Sequence, residues 1–229
     1  MLAIEVDPPA RSIAGTATLR GSMIAAPSRA LELDAVELQI DKVVVNGKAA
    51  GFRHDGKRLR VELPVLAAGA AITIAIDYRG APRRGLYFIA PDDGYPTKPV
   101  QVWTQGQDED SRYWFPCFDT PNEKATSEVI ATVPASMFAL SNGSLVSDRT
   151  SDGKRTLHWR LDVPHSSYLI TLAVGDFATI ETTWRDVPVV YHVQRGREAE
   201  AERTLARTPQ MLELFSSRFG VPYPYPRYA

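Results

Sequence analysis

The sequence predicts a mostly β protein. Its antiparallel strands pack as a sandwich or saddle, and a helix comes only near the C-terminal end. Apolar and polar residues alternate at period two in several stretches, which gives a strand one buried and one wet face. Turn-forming dipeptides separate those stretches. The spacing turns helical only near residue 196.

In chain order, Leu59, Val61 and Leu63 alternate with Arg58, Arg60 and Glu62. Ile72, Ile74, Ile76 and Tyr78 alternate with Thr73, Ala75 and Asp77, and Leu157, Trp159, Leu161 and Val163 with His158, Arg160 and Asp162. Each run reads as a half-buried strand. Asn46-Gly47, Asp55-Gly56, Asn142-Gly143 and Asp152-Gly153 read as turns, since Gly and Asn tolerate the left-handed backbone that tight turns need. Many short strands punctuated in this way point to packed antiparallel sheets. Later, REAEAERTLARTPQMLELFSSRFG places Leu205, Thr208, Leu212, Phe215 and Phe219 on one helical face. Acids open that helix and Gly220 with Pro222 close it. Pro209 lacks an N–H and is expected to kink it. A tail, FGVPYPYPRYA, follows.

A chain of 229 residues suits one large domain, or one domain and part of another. The net charge of −1 leaves no basic excess, so neither nucleic acid nor an anionic membrane is an expected partner. The single cysteine, Cys117, excludes an internal disulfide framework and fits a reducing compartment. No basic segment precedes an apolar run at the N-terminus, and the longest apolar run, LAAGAAITIAI, is too short to span a bilayer. A cytoplasmic location is therefore expected. Asn142-Gly143-Ser144 forms a glycosylation sequon but reads better as a turn.

No complete catalytic set is present. There is no His-Glu-x-x-His, no Cys-x-x-Cys, no Gly-rich phosphate loop and no Gly-x-Ser-x-Gly elbow. The four histidines, His54, His158, His165 and His192, read as surface or internally satisfied residues. Cys117 lies between Pro116 and Phe118, an apolar setting that keeps a thiol protonated, so it reads as packing and not as a nucleophile. Asp108, Glu109 and Asp110 have the chemistry to bind a hard cation, but three adjacent acids rarely converge on one centre, and a solvated turn or helix start fits better. Glu198, Glu200 and Glu202 read as stabilising a helix N-terminus.

Five blocks go further than spacing. They are Val6-Asp7-Pro8 with Ile13-Ala14-Gly15; Phe115-Pro116-Cys117-Phe118-Asp119-Thr120-Pro121 with Lys124-Ala125; Ala139-Leu140-Ser141-Asn142-Gly143; Pro164-His165-Ser166-Ser167-Tyr168-Leu169-Ile170 running to Val174-Gly175-Asp176-Phe177; and Phe219-Gly220-Val221-Pro222-Tyr223-Pro224. In this order they resemble the aminopeptidase N family of zinc metallopeptidases, over nearly the whole chain. The resemblance implies a saddle-shaped β-sandwich domain over residues 1–186. Residues 187–229 would then be the first strand and helix of a thermolysin-like catalytic domain.

In that family the zinc, its His-Glu-x-x-His helix and the general base belong to the catalytic domain, so this chain is expected to bind no metal and to be inactive alone. The resemblance also implies that the β domain sends a loop to the substrate, where Gln-x-Glu or Gln-x-Gln holds the free amino terminus of a peptide. The matching residues are Gln105 and Gln107. Gln107 departs from the carboxylate that many members carry there, although others also have glutamine. A cis peptide at Gln107-Asp108 is implied as well, and Thr120 replaces a common glutamate. The expected partners are the peptide N-terminus and the protein's own catalytic domain. Two other readings are a scaffold domain from a family member without a zinc site and a free-standing β-sandwich binding module.

Overall fold

The computed structural model describes residues 1–24 and 29–229. Its centre is an eight-stranded sheet. From one edge the strands are Ser144–Ser151, Lys154–Ser166, Lys124–Pro134, Leu2–Asp7, Ser12–Ser22, Ala71–Gly80, Gln39–Val45 and Lys48–Ala49. A four-stranded sheet runs Phe138–Ser141, Leu172–Gly175, Gln101–Thr104, Leu86–Ile89. A three-stranded sheet runs Ala30–Asp34, Arg58–Glu62, Phe52–His54. The alternation read from sequence fixes which face each strand buries: Leu59 and Val61, Ile74, Ile76 and Tyr78, and Leu157 and Trp159 all lie in one core shared by these sheets. A fully buried side chain of this size contributes about 1.5–3 kcal/mol. Trp159 also ties two sheets together, donating its indole N–H to the Ala139 carbonyl at 2.8 Å.

Among the described strands, one pair departs from an antiparallel plan. Leu2–Asp7 runs parallel to Lys124–Pro134. A parallel pair needs a long crossover, and the chain supplies one by building most of the other strands between them. Asn46-Gly47 and Asp152-Gly153 close hairpins with positive φ at both residues. Asn142-Gly143 is a turn of another kind. It carries the chain from the four-stranded sheet to the eight-stranded one, and the Asn142 side chain holds it by donating to Leu169 O and accepting from Thr171 N.

Phe177–Trp184 and Val187–Gln194 form a separate hairpin. It packs against two helices, α1 (Glu198–Leu205) and α2 (Thr208–Phe219), around Trp184, Val189, Tyr191 and Leu212. The expected single kinked helix is therefore two helices. Pro209 lies in the first turn of α2, where a missing N–H leaves no intrahelical bond unmade, so proline starts a helix here and bends none. Gly220 ends α2 in the left-handed conformation. Of the apolar face read from sequence, Thr208 and Leu212 are buried, while Phe215 and Phe219 are exposed. The tail returns along the hairpin, with Tyr228 bonded through its backbone to Pro188 and Val190. Beside it, Arg227 contacts His192 at 3.2 Å and lies over the Trp159 ring. Burial, and then the Arg227 charge, lower the His192 pKa to about 4. Among the described residues no helix is long and apolar enough to cross a membrane.

Candidate functional site

The chain leaves the four-stranded sheet after strand Gln101–Thr104 and runs as a loop to Asp110. Val102 points into the core and Trp103 outward. Thr104 is fixed by accepting the Leu172 N–H at 2.9 Å. Pairing continues one step past the strand, where Gln105 N donates to Gly85 O at 2.9 Å. Gly106 is buried, and a Cβ there would sit 2.8 Å from the Tyr168 carbonyl oxygen, so only glycine allows this approach. The loop is thus pinned at its centre, while Gln105 and Gln107 on either side stay exposed. Neither glutamine side chain has a hydrogen-bond partner among the described residues, leaving both amide oxygens open. The Gln107-Asp108 peptide is cis, as the resemblance implies.

The three adjacent acids do not converge. Glu109 binds Arg112 at 2.7 Å, Asp110 binds Arg84 at 2.9 Å, and Asp108 faces solvent. Among the described residues no three His, Cys, Asp or Glu side chains are grouped to hold a metal ion.

Behind the loop lies a buried ionic network that local spacing did not reveal. Asp119 is fully buried and accepts the Arg112 backbone N–H and Nε at 3.0 Å each, and the Ser167 hydroxyl at 2.7 Å. Arg112 also donates to the Asp119 carbonyl at 2.9 Å. Asp34 Oδ1 forms ion pairs with Arg58 at 2.9 Å and Arg112 at 3.4 Å, neither with hydrogen-bond geometry, and its other oxygen accepts the Asp119 N–H. Burial works against the Arg112 charge, but the hydrogen bond to Asp119 and the Asp34, Asp119 and Glu109 charges outweigh it and raise its pKa. Ser111 donates to the Ser167 carbonyl at 3.0 Å. The network therefore joins the end of strand Ala30–Asp34, the short helix Ser111–Tyr113 and the short helix Ser167–Leu169, the last of which also meets Gly106. One signal was available: an aspartate directly after the apolar run from Trp114 to Phe118 needs a cation if it is buried, and Arg112 is close in sequence.

Cys117 is packing. It is buried, its backbone pairs with Asp34, and burial, then the Asp119 and Asp34 charges, push its thiol pKa well up. A thiol reagent is expected to leave the native chain unmodified and to label it fully in denaturant. Rapid labelling of the native chain would restore Cys117 as a candidate nucleophile. All four histidines have partners: His54 with Ala35 O at 2.7 Å, His158 with Glu128 at 2.6 Å, His165 with Val163 O at 2.8 Å, and His192 with Arg227.

Comparison with known proteins gives a consistent picture. The family model described as the peptidase M1 N-terminal domain matches residues 1–169. Aminopeptidase M1-B of Oryza sativa subsp. japonica is 28% identical over 89% of this chain and 24% of its own length. Aminopeptidase N of Lactobacillus delbrueckii subsp. lactis is 27% identical over 99% of this chain and 27% of its own length. Among solved structures, a mutant M1 zinc metallopeptidase from Deinococcus radiodurans with a Tyr-Ser-Ala substrate superposes with TM-score 0.83. It is 25% identical over 99% of this chain and 54% of its own. The chain thus spans about a quarter of the length of these curated relatives.

Proposed function

This chain belongs to the peptidase M1 N-terminal domain family, and from that premise we propose that the complete protein is a zinc-dependent aminopeptidase removing N-terminal residues from peptides. Residues 1–186 form its β domain and residues 187–229 open the catalytic one, with the hairpin strands Phe177–Trp184 and Val187–Gln194 pairing across the division. The β domain closes one side of the substrate pocket, braces the catalytic domain and supplies Gln105 and Gln107. An α-ammonium group is a cation with N–H donors only, so it needs acceptors held at fixed positions. One observation carries this reading: Gly106 is locked against Tyr168 while the glutamines flanking it stay exposed. The loop is rigid at its centre and open at its two acceptors.

Among the described residues no cluster of His, Cys, Asp or Glu fits a zinc site, and in this reading the zinc ligands and general base belong to parts of the protein outside residues 1–229. The Deinococcus relative is bound to a Tyr-Ser-Ala substrate, and peptides with a free amino terminus are the substrate class proposed here. The reported relatives are named as peptidases, so a scaffold role is not favoured.

An assay with aminoacyl chromogenic substrates tests the proposal. The complete protein should turn them over, lose activity to a chelator and regain it with zinc. Residues 1–229 alone with added zinc should be silent. An inactive complete protein, or turnover by residues 1–229 above a mutant background, would contradict it.

A further inference from the structure

The two glutamines differ in how their backbone is held. Gln105 donates its N–H to Gly85 O at 2.9 Å. Gln107 has no such bond. Among the described residues, neither Gln107 nor Asp108 makes a hydrogen bond through backbone or side chain, and both are exposed. The chain is fixed on either side of them. Gly106 packs against Tyr168. Asp110 donates its N–H to Gly106 O at 2.9 Å and accepts the Tyr113 N–H at 3.3 Å. Its carbonyl oxygen lies so close to Gly85 that a Cβ there would meet it at 2.0 Å. Between these anchors, residues 107–109 have a single tie to the rest of the described molecule. The Glu109 carboxylate accepts Arg112 Nη2 at 2.7 Å. Arg112 is a firm anchor, because its Nε binds the fully buried Asp119 side chain and Nη2 also binds the Asp119 carbonyl.

We propose that Glu109 is a positioning residue for Gln107. Its ion pair with Arg112 carries the rigidity of the buried network to the stretch of the loop that has no bond of its own, and so fixes the Gln107 amide oxygen where the peptide amine arrives. The inference rests on the function proposed above and adds to it the group that holds one of the two acceptors in place. A free segment must be ordered when its ligand binds, whereas one already held loses little freedom. A small misplacement of a positioning group is costly for the same reason. Glu109 needs no contact with substrate, since its carboxylate is engaged by Arg112. The neighbouring pair of Asp110 with Arg84 differs, because the Asp110 backbone is bonded independently of its side chain.

The test is a double-mutant cycle in the complete protein, assayed with the aminoacyl chromogenic substrate that the wild type turns over fastest. Glu109→Ala should lower kcat/KM about three- to tenfold, with the loss divided between kcat and KM as it is for Gln107→Ala. In the Gln107→Ala background it should lower kcat/KM no further, because no acceptor is left to position. Glu109→Gln keeps the side-chain length and a carbonyl acceptor for Arg112, and should recover part of the loss. Arg84→Ala should stay within about twofold of the wild type. No loss in Glu109→Ala, a loss that multiplies with that of Gln107→Ala, or equal losses in Glu109→Ala and Arg84→Ala would overturn the inference while leaving amine binding by Gln107 in place. If Gln107→Ala itself leaves kcat/KM unchanged, the amine-binding reading fails, and the positioning role falls with it.

Discussion

Replacing Asp119 with alanine is expected to cost about 3–5 kcal/mol of folding stability, the loss typical when one partner of a buried ion pair is removed. Asp119 is completely buried and accepts two hydrogen bonds from Arg112 and one from Ser167. Alanine would leave the Arg112 guanidinium, itself only 18% exposed, with Glu109, the backbone carbonyl of residue 119 and a more distant Asp34. It would also leave the Ser167 hydroxyl without its acceptor. The contrast with surface pairs is part of the prediction. Arg160 and Asp162 also meet at 2.8 Å, but their side chains are 58% and 69% exposed, so breaking that pair should cost no more than about 1 kcal/mol. Urea unfolding measures both variants. A shift in midpoint at constant slope reports stability alone, and equal shifts for the two would contradict the clamp assigned to Asp119. Because the same network meets Ser167–Leu169, and that segment meets Gly106, the clamp also positions the glutamine loop.

Gln107→Ala in the complete protein is expected to lower kcat/KM for substrates with a free amino terminus about ten- to hundredfold. That is the range for losing one hydrogen bond to a charged group. Both glutamines are exposed, so the change should leave stability nearly untouched and the loss can be read as binding. The distribution of the loss is informative. A rise in KM with kcat unchanged means the amine is held equally in the ground and transition states, while a fall in kcat means the contact tightens in the transition state. Gln107→Glu should work in the opposite direction and lower KM, since a carboxylate is a stronger partner for an ammonium than a neutral amide. An unchanged kcat/KM for Gln107→Ala would remove this residue from the site.

Different parts of this molecule were legible in the sequence to different degrees. Strand faces were plain, because alternation at Leu59 and Val61 or at Ile74, Ile76 and Tyr78 is a local consequence of the pleat. Sheet membership was not. Asn142-Gly143 has the residues of a hairpin turn yet joins two different sheets, and the parallel partner of Leu2–Asp7 lies more than a hundred residues away. Pro209 showed that the helix would be interrupted. Whether it kinks one helix or starts another depends on the two residues before α2, which carry no comparable signal. The acids at 108–110 have the chemistry of a cation site but read better as a solvated turn or helix start, and the arginine partners of Glu109 and Asp110 explain why those two point apart. Arg112 lies only seven residues from Asp119, but Asp34 and Ser167 come from distant segments, so most of the clamp around Asp119 had no local pattern. Gln105 and Gln107 have none either. Only the resemblance singles them out, and the structure adds their exposure and the anchor at Gly106 between them.

We propose that this β domain lends its two glutamines to the recognition of a peptide amino terminus. A crystal structure of the complete protein with a bound peptide tests it most directly. The peptide α-nitrogen is expected within hydrogen-bond distance, about 2.7–3.2 Å, of the side-chain oxygens of both Gln105 and Gln107. A peptide bound with its amino terminus held by other residues, and both glutamines facing solvent, would contradict it.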